Sequence, residues 1–388
     1  MLNYLIKELE KLNREGLLRK PRVISATKGS CVKIDNRWYI SFCSNDYLGL
    51  TQSPEVKNAM IQATKKFGAG SGAARLLAGT TSLHHSLEQE LARFKHADDA
   101  LLFTSGYAVN LGVITTLIKK EATILCDELN HASLVDASRL TKANLLIYRH
   151  RDIAHLEQLL IKAQRSTLNT QRYIITDTIF SMDGDGAPLK EIVRLAKKYN
   201  AWTIVDEAHA TGVFGKHGRG LTEELGLEKE IDIIIGTSSK ALGSVGGFVT
   251  GSQALIDYLR NKSRPFIFTT ALPPGVCATI IASLKIIQTT QGKTLRAKLW
   301  ENTRYIKSRL QQMGFDLRGS ISPIIPILIG DTKKTVAISQ ALWKKGLFVP
   351  AIRPPTVPQG QSRLRIVINA MHTRQEINLL LNYITRII

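Results

Sequence analysis

Several residues of this chain with side chains suited to covalent and acid–base work stand directly behind short apolar runs. Lys240 follows DIIIG (232–236) inside the segment GTSSKALGSVGG, 236–247. A lysine flanked by small residues in an apolar setting loses hydration, which depresses its pKa and suits its amine to Schiff-base chemistry. The plainer alternative is an exposed lysine in a Gly/Ser-rich turn. Asp206 closes WTIVD (202–206), and His209 lies three residues on. A carboxylate at a strand end can hold a ring nitrogen in its protonated form by direct pairing. Taken singly, these two residues equally well cap a turn and satisfy a core hydrogen bond. His131 follows ATILC (122–126) within DELNHAS. After ALLF (100–103) comes Thr104-Ser105-Gly106-Tyr107, where small residues opening a helix leave backbone N–H groups available to phosphate. The same four residues also read as an ordinary N-cap.

These groups need a scaffold that gathers them, and the pattern supplies one. The runs at 100–103, 122–126, 143–148, 172–177, 202–206 and 232–236 are short and mostly unalternating, as strands buried on both faces should be. Amphipathic stretches at 81–94, 107–119, 152–163 and 188–199 separate them. Strand and helix in alternation predict an α/β fold with a doubly wound, mostly parallel central sheet sandwiched by helices, whose ligand lies at the carboxyl ends of the strands. Residues 1–50 read as a helix followed by a small β cap, with strands expected at 22–26, 31–34 and 37–42. The large α/β domain is expected over 51–275. Residues 276–388, with a helical region at 275–313, an apolar strand at 321–330, a helix at 333–345, strands near 347–352 and 362–369 and a last helix, form an expected C-terminal α+β domain.

A phosphate cradle, an imidazole beside a ring-sized slot, an Asp for a pyridine nitrogen and a lysine amine at one sheet edge are what pyridoxal 5′-phosphate requires of a protein. The chain resembles the α-oxoamine synthases, pyridoxal-phosphate enzymes of fold type I. The resemblance covers roughly residues 15–372 and is carried by SNDYLGL (44–50), LLFTSGYAVN (101–110), DELNHASLVDASRL (127–140), FSMDGDGAPL (180–189), VDEAHATGVFGKHGRG (205–220) and GTSSKALG (236–243). AIRPPTVPQGQSRLRI (351–366) is similar to the members that use a pimeloyl thioester.

The resemblance implies that Lys240 holds the cofactor as a Schiff base and later moves the α-proton of alanine. It implies that Asp206 pairs with the ring nitrogen, that His131 stacks on the ring, and that His209 and Ser181 lie near the phenolic oxygen. Gly106, Tyr107 and Thr237 would hold the phosphate, with Thr270 reaching it from a second subunit of a homodimer. Asn45 and Arg353 would clamp the substrate carboxylate, Thr356 would be a neighbouring contact, and Arg19, close to Lys20 and Arg22, would be an N-terminal substrate arginine. GTSSK departs from relatives that place an aromatic before the small residue, a change that leaves Thr237 and Lys240 in register. The implied reaction is decarboxylative condensation of L-alanine with a pimeloyl thioester, on coenzyme A or on acyl carrier protein, giving 8-amino-7-oxononanoate and CO2 for biotin biosynthesis. A related synthase using glycine or serine and another acyl thioester is the alternative.

Composition narrows the remaining classes. The chain has 388 residues and a formal net charge of +20, and residues 257–388 hold 20 of its Lys and Arg against 5 Asp and Glu. Such a field attracts polyanions, so a nucleic-acid binder is a competing class. No basic run with interleaved aromatics accompanies the charge, and the chemistry-bearing residues argue for an enzyme without a nucleic-acid partner. An acidic acyl carrier is a second destination for it. A hydrophobic content of 44% excludes general disorder. Cysteines at 31, 43, 126 and 277 have no CxxC spacing, so no metal site and no disulfide framework is expected, and a cytoplasmic setting fits. No apolar run reaches the ~18 residues of a membrane span.

Overall fold

The computed structural model describes residues 2–166 and 170–388. The chain divides into two compact units. The larger holds Leu50–Phe180 and Gly186–Arg296; the smaller holds the chain up to Gly49, Ser181–Asp185 and Ala297–Ile388.

The larger unit is built on a seven-stranded sheet in the order Asp99–Phe103, Gly247–Gly251, Ile233–Thr237, Ala201–Asp206, Arg172–Asp177, Thr123–Asp127, Asn144–Tyr148. All six strands expected from apolar runs are present. The seventh, Gly247–Gly251, lies antiparallel to both its neighbours and was not foreseen from the sequence. The runs Thr123–Asp127, Arg172–Asp177 and Ile233–Thr237 are buried at every position, which accounts for their lack of alternation. Helices cover them: Val109, Val113 and Ile114 of the helix Gly106–Leu117 join Ile124, Ile175, Ile204 and Ile235 in one core cluster.

Residues 276–296, expected in the C-terminal domain, instead belong to this larger unit. The helix Pro274–Gln288 buries its faces almost all round, from Val276 to Ile287, and packs on the helices Pro54–Phe67 and Ser82–Lys95. An apolar helix of that kind needs neighbours on several sides. The expected continuous helix breaks at Thr289, and Thr290–Gln312 follows as a separate element.

In the smaller unit, the N-terminal cap and the C-terminal region are one body, because Arg37–Ser41 pairs in parallel with Leu347–Phe348. The helix Leu2–Arg14 forms as its spacing predicts but buries no residue in this chain. The first cap strand is Ala26–Lys28, later than the expected 22–26. Arg22 lies over the Trp343 ring, 3.7 Å from its centroid, which occupies the stretch before the strand with a cation–π contact. A second sheet, Ile324–Gly330, Ser362–Val367 and Ala351–Ile352, is antiparallel. Among the described residues no helix is long and apolar enough to cross a membrane, and no group of His, Cys, Asp and Glu is arranged to hold a metal ion.

Candidate active site

The carboxyl ends of the parallel strands in the larger unit carry most of the residues singled out from sequence. Asp206 ends its strand and is 5% exposed. Its Oδ2 accepts from Asn110 Nδ2 at 2.8 Å and its Oδ1 from the backbone N–H of Ala208 at 2.8 Å. The other amide hydrogen of Asn110 goes to Ser133 Oγ at 2.8 Å, and Ser133 in turn bonds His131 Nδ1 at 2.7 Å. One buried amide therefore orients both the carboxylate and the imidazole. His131 Nδ1 also accepts from the Ser133 backbone N–H, as the N-cap of Ala132–Leu140. Two donors at one nitrogen fix it as an acceptor and the ring as neutral. Burial first, then the charge of Lys240, push the His131 pKa down in agreement, against the opposing charges of Asp206 and Asp136. Part of the residue nonetheless remains exposed to solvent.

Lys240 is half-buried in the connection 238–246 between the antiparallel strands Ile233–Thr237 and Gly247–Gly251. Gly243, at φ +60°, makes that connection turn, donating to Lys240 O at 2.9 Å, and a Cβ there would meet the backbone of Leu50 and Thr51. Close approach and positive φ together require glycine. The charge of Lys240 acts on both His131 and Asp177. His209 is buried on the turn after Asp206.

Gly106 begins its helix behind the N-cap Ser105, whose hydroxyl accepts from Ala108 N at 3.0 Å. A Cβ on Gly106 would sit 3.4 Å from Thr237 Oγ1, so the missing side chain opens a space bounded by a helix N-terminus and a hydroxyl. The N–H groups opening that helix suit a phosphate, while the Thr237 hydroxyl donates to the Gly246 carbonyl at 2.7 Å. Tyr107 is exposed, and its hydroxyl donates to Asp136 Oδ2 at 2.7 Å. Thr270 pairs with Ala74 in an isolated bridge and lines a small cavity with Thr104 and Phe266.

The substrate residues expected from the resemblance fall in the smaller unit, where they separate into two groups. Asn45 lies against Arg365, whose Nη1 and Nη2 both approach Asn45 Oδ1 at 3.3 Å while Nε donates to the Ser181 carbonyl at 2.6 Å. Arg365 is 5% exposed, and burial lowers its pKa. The adjacent Tyr47 hydroxyl is pushed up to about 12 by burial. Arg353 is elsewhere. Its Nη2 donates to Leu18 O at 2.8 Å, and Arg19 Nη2 donates to Pro354 O at 2.7 Å. Burial and the nearby charge of Arg19 lower the Arg353 pKa, and its buried Nε has no hydrogen-bond partner. Both arginines line a cleft of about 1160 Å³ that also holds Lys20, Arg22 and Phe348. Thr356 is exposed, its N–H on Arg353 O at 3.1 Å.

Sequence reasoning missed Asn110, Asp177 and Arg365. Asn110 had a signal, being a polar residue one turn into an otherwise apolar helix. Asp177 stands in lateral register with Asp206 on the neighbouring strand, and its Oδ2 accepts from His131 N at 2.7 Å. Burial, then the charge of Asp206, hold its carboxyl well above the usual range.

A buried carboxylate oriented by neutral donors, a neutral imidazole beside it, a nearby lysine amine and an open helix N-terminus fit pyridoxal phosphate and define a pyridoxal-phosphate enzyme of fold type I. The chain belongs to the class I and II aminotransferase family, whose model matches residues 38–384. Within that family it falls with the 8-amino-7-oxononanoate synthases. It is 44% identical to the 8-amino-7-oxononanoate synthase of Petrotoga mobilis over 381 residues, 98% of this chain and 96% of that protein. With the protein of the same name from Citrifermentans bemidjiense the identity is 48% over 371 residues, 96% and 94% of the two chains. Among solved structures it is similar to a serine palmitoyltransferase from S. paucimobilis with a bound PLP–myriocin aldimine, at a TM-score of 0.93 and 35% identity, covering 99% of this chain and 96% of that one. An 8-amino-7-oxononanoate synthase from Francisella tularensis gives a TM-score of 0.77 at 28% identity, over 90% and 97% of the chains.

Proposed function

We infer that this protein condenses L-alanine with a pimeloyl thioester, with loss of CO2, to give 8-amino-7-oxononanoate and the free carrier. The observation that carries the reading is the Asp206–Asn110–Ser133–His131 chain at the sheet edge beside Lys240, in a sequence that matches synthases of that name over nearly its whole length.

Pyridoxal phosphate, when bound, supplies an electron sink for the carbon next to the substrate nitrogen. The rest falls to the chain's own residues. Asp206, buried and oriented by neutral donors, stabilises a proton on the ring nitrogen and so keeps the sink effective. His131, held neutral by Ser133, offers an aromatic face with no charge to compete with that proton. The Lys240 amine takes the α-proton of alanine as a general base. The N-terminus of Gly106–Leu117 and the Thr237 hydroxyl hold the phosphate. His209 orients the phenolic oxygen.

The two arginine groups of the smaller unit support two carboxylate roles. Arg365 with Asn45 presents a buried, rigid fork matched to the carboxylate of an amino acid. Arg19 and Arg353, two like charges lining one cleft, suit the distal carboxylate of the pimeloyl chain. This divides the clamp differently from the pairing of Asn45 with Arg353 that the resemblance implies. A homodimer, with Thr270 of one subunit serving the phosphate of the other, an acidic acyl carrier drawn by the basic C-terminal third, and a cytoplasmic setting complete the reading.

The test is a coupled assay offering alanine, glycine and serine against pimeloyl-CoA and pimeloyl-acyl carrier protein. Alanine with a pimeloyl donor should give the highest kcat/KM. Faster turnover with glycine or serine would replace this reading by the related synthase.

A further inference from the structure

On the side of the sheet edge opposite to Asp206 lies an ion pair with almost no access to solvent. Lys95, the last residue of the helix Ser82–Lys95, places its ammonium 2.6 Å from Glu207 Oε2, with side-chain exposures of 1% and 0%. The same ammonium donates to Thr211 Oγ1 at 2.9 Å and to the carbonyl oxygen of Arg219. Three N–H groups thus meet three acceptors. Glu207 is equally committed, because its second oxygen accepts from the Thr222 backbone N–H at 2.9 Å. Gly220, at φ +137°, passes so close that a Cβ would collide with the carboxylate.

Asp206 and Glu207 are consecutive at a strand end, so their side chains leave the backbone on opposite faces. Fixing Glu207 from behind fixes the direction of Asp206 in front. The Glu207 carbonyl also accepts the N–H groups of Ala210 and Thr211 at 2.9 Å, closing the turn that carries His209. Thr211 is the residue whose hydroxyl Lys95 holds. One ammonium therefore grips both ends of the segment 207–211, of which His209 is the centre.

We propose that Lys95 is a positioning residue for the cofactor contacts Asp206 and His209, acting through Glu207, Thr211 and Arg219 O. The proposal rests on the reading of Asp206 and His209 as cofactor contacts. A buried ion pair adds little net stability against an apolar replacement, whereas removing one partner leaves an uncompensated charge. Its geometric role can therefore be separated from its contribution to folding.

The experiment compares the parent with K95M and with K95M/E207Q, the second of which leaves no unpaired buried charge. Two quantities are measured well below each protein's melting temperature: the dissociation constant of pyridoxal phosphate and the pH midpoint of the absorption change of the lysine-linked cofactor. Both variants should bind the cofactor about ten-fold more weakly, as loss of positioning in a preorganised site costs, and both should show a displaced midpoint. Folded K95M/E207Q with affinity and midpoint equal to the parent's would overturn the proposal, since a merely structural pair changes the melting temperature alone. Failure of both variants to fold would also overturn it by assigning the pair to folding. Asp206→Asn is the control for the underlying reading: unchanged affinity and midpoint in that variant would refute the cofactor contact itself, independently of Lys95.

Discussion

Replacing Asp177 by Asn should stabilise the cofactor-free protein, and the gain should grow with pH. Asp177 and Asp206 end adjacent strands in register, both buried, and burial followed by the charge of Asp206 raises the Asp177 carboxyl well above its ordinary value. In the unfolded chain the carboxyl ionises near its usual pKa of about 3.9. Above that pH the native protein binds one proton more than the unfolded chain, so its stability falls as pH rises, until the raised native value is passed. The slope for one proton is about 1.4 kcal/mol per pH unit. Asn at 177 cannot ionise and so abolishes that slope. Asn also keeps the contact that matters locally, since its side-chain oxygen can accept the His131 N–H now bound at 2.7 Å. Across the range from about pH 5 to about pH 7 the variant should therefore gain on the parent at up to about 1.4 kcal/mol per pH unit, as far as the raised native value. At about 2 °C or more per kcal/mol for a domain of this size, its melting temperature should climb relative to the parent's as pH rises. Thermal melts of both proteins across that range read the slope directly. A difference in melting temperature that is constant with pH, or that shrinks as pH rises, would refute the raised carboxyl at Asp177.

Two further substitutions probe the chemistry. Lys240→Ala should abolish turnover and the lysine-linked absorption band while leaving cofactor binding measurable by equilibrium dialysis; retained turnover would remove Lys240 from its role. Arg365→Lys keeps the charge but loses the planar fork that reaches Asn45 Oδ1 and the Ser181 carbonyl. Its KM for alanine should rise about ten-fold or more while KM for the pimeloyl thioester stays near the parent's, and the reverse pattern would exchange the roles of the two arginine groups.

The strands were legible where burial on both faces produced unbroken apolar runs, as in Ile233–Thr237. Gly247–Gly251 escaped because glycines at both ends and a buried Thr250 break such a run, and because no helix separates it from the strand before it. Residues at strand ends were legible one strand at a time. What no single strand discloses is lateral pairing: Asp177 and Asp206 become neighbours only when the sheet order is known, and the grip of Lys95 on Glu207 joins residues 112 positions apart. Arg365 was hidden in the alternating SRLRIV strand, where an arginine reads as a solvent-facing position; it is buried against Asn45 and Ser181 O. The domain boundary near 275 was misplaced for a related reason, since an apolar helix does not disclose which core receives it.

The antiparallel strand has a consequence for how Lys240 finds its place. Parallel neighbours need a crossover of a dozen residues or more, whereas Ile233–Thr237 and Gly247–Gly251 join directly through 238–246. Their pairing is the most local in the seven-stranded sheet and carries the smallest loop-closure entropy, so the Lys240 loop can take shape early and without the remaining strands. Docking of Asp99–Phe103 on Gly247–Gly251 closes over residues 104–246 and is entropically the costlier event. The proposed attachment point for the cofactor is thus encoded in a short stretch of chain, and its surroundings are assembled around it.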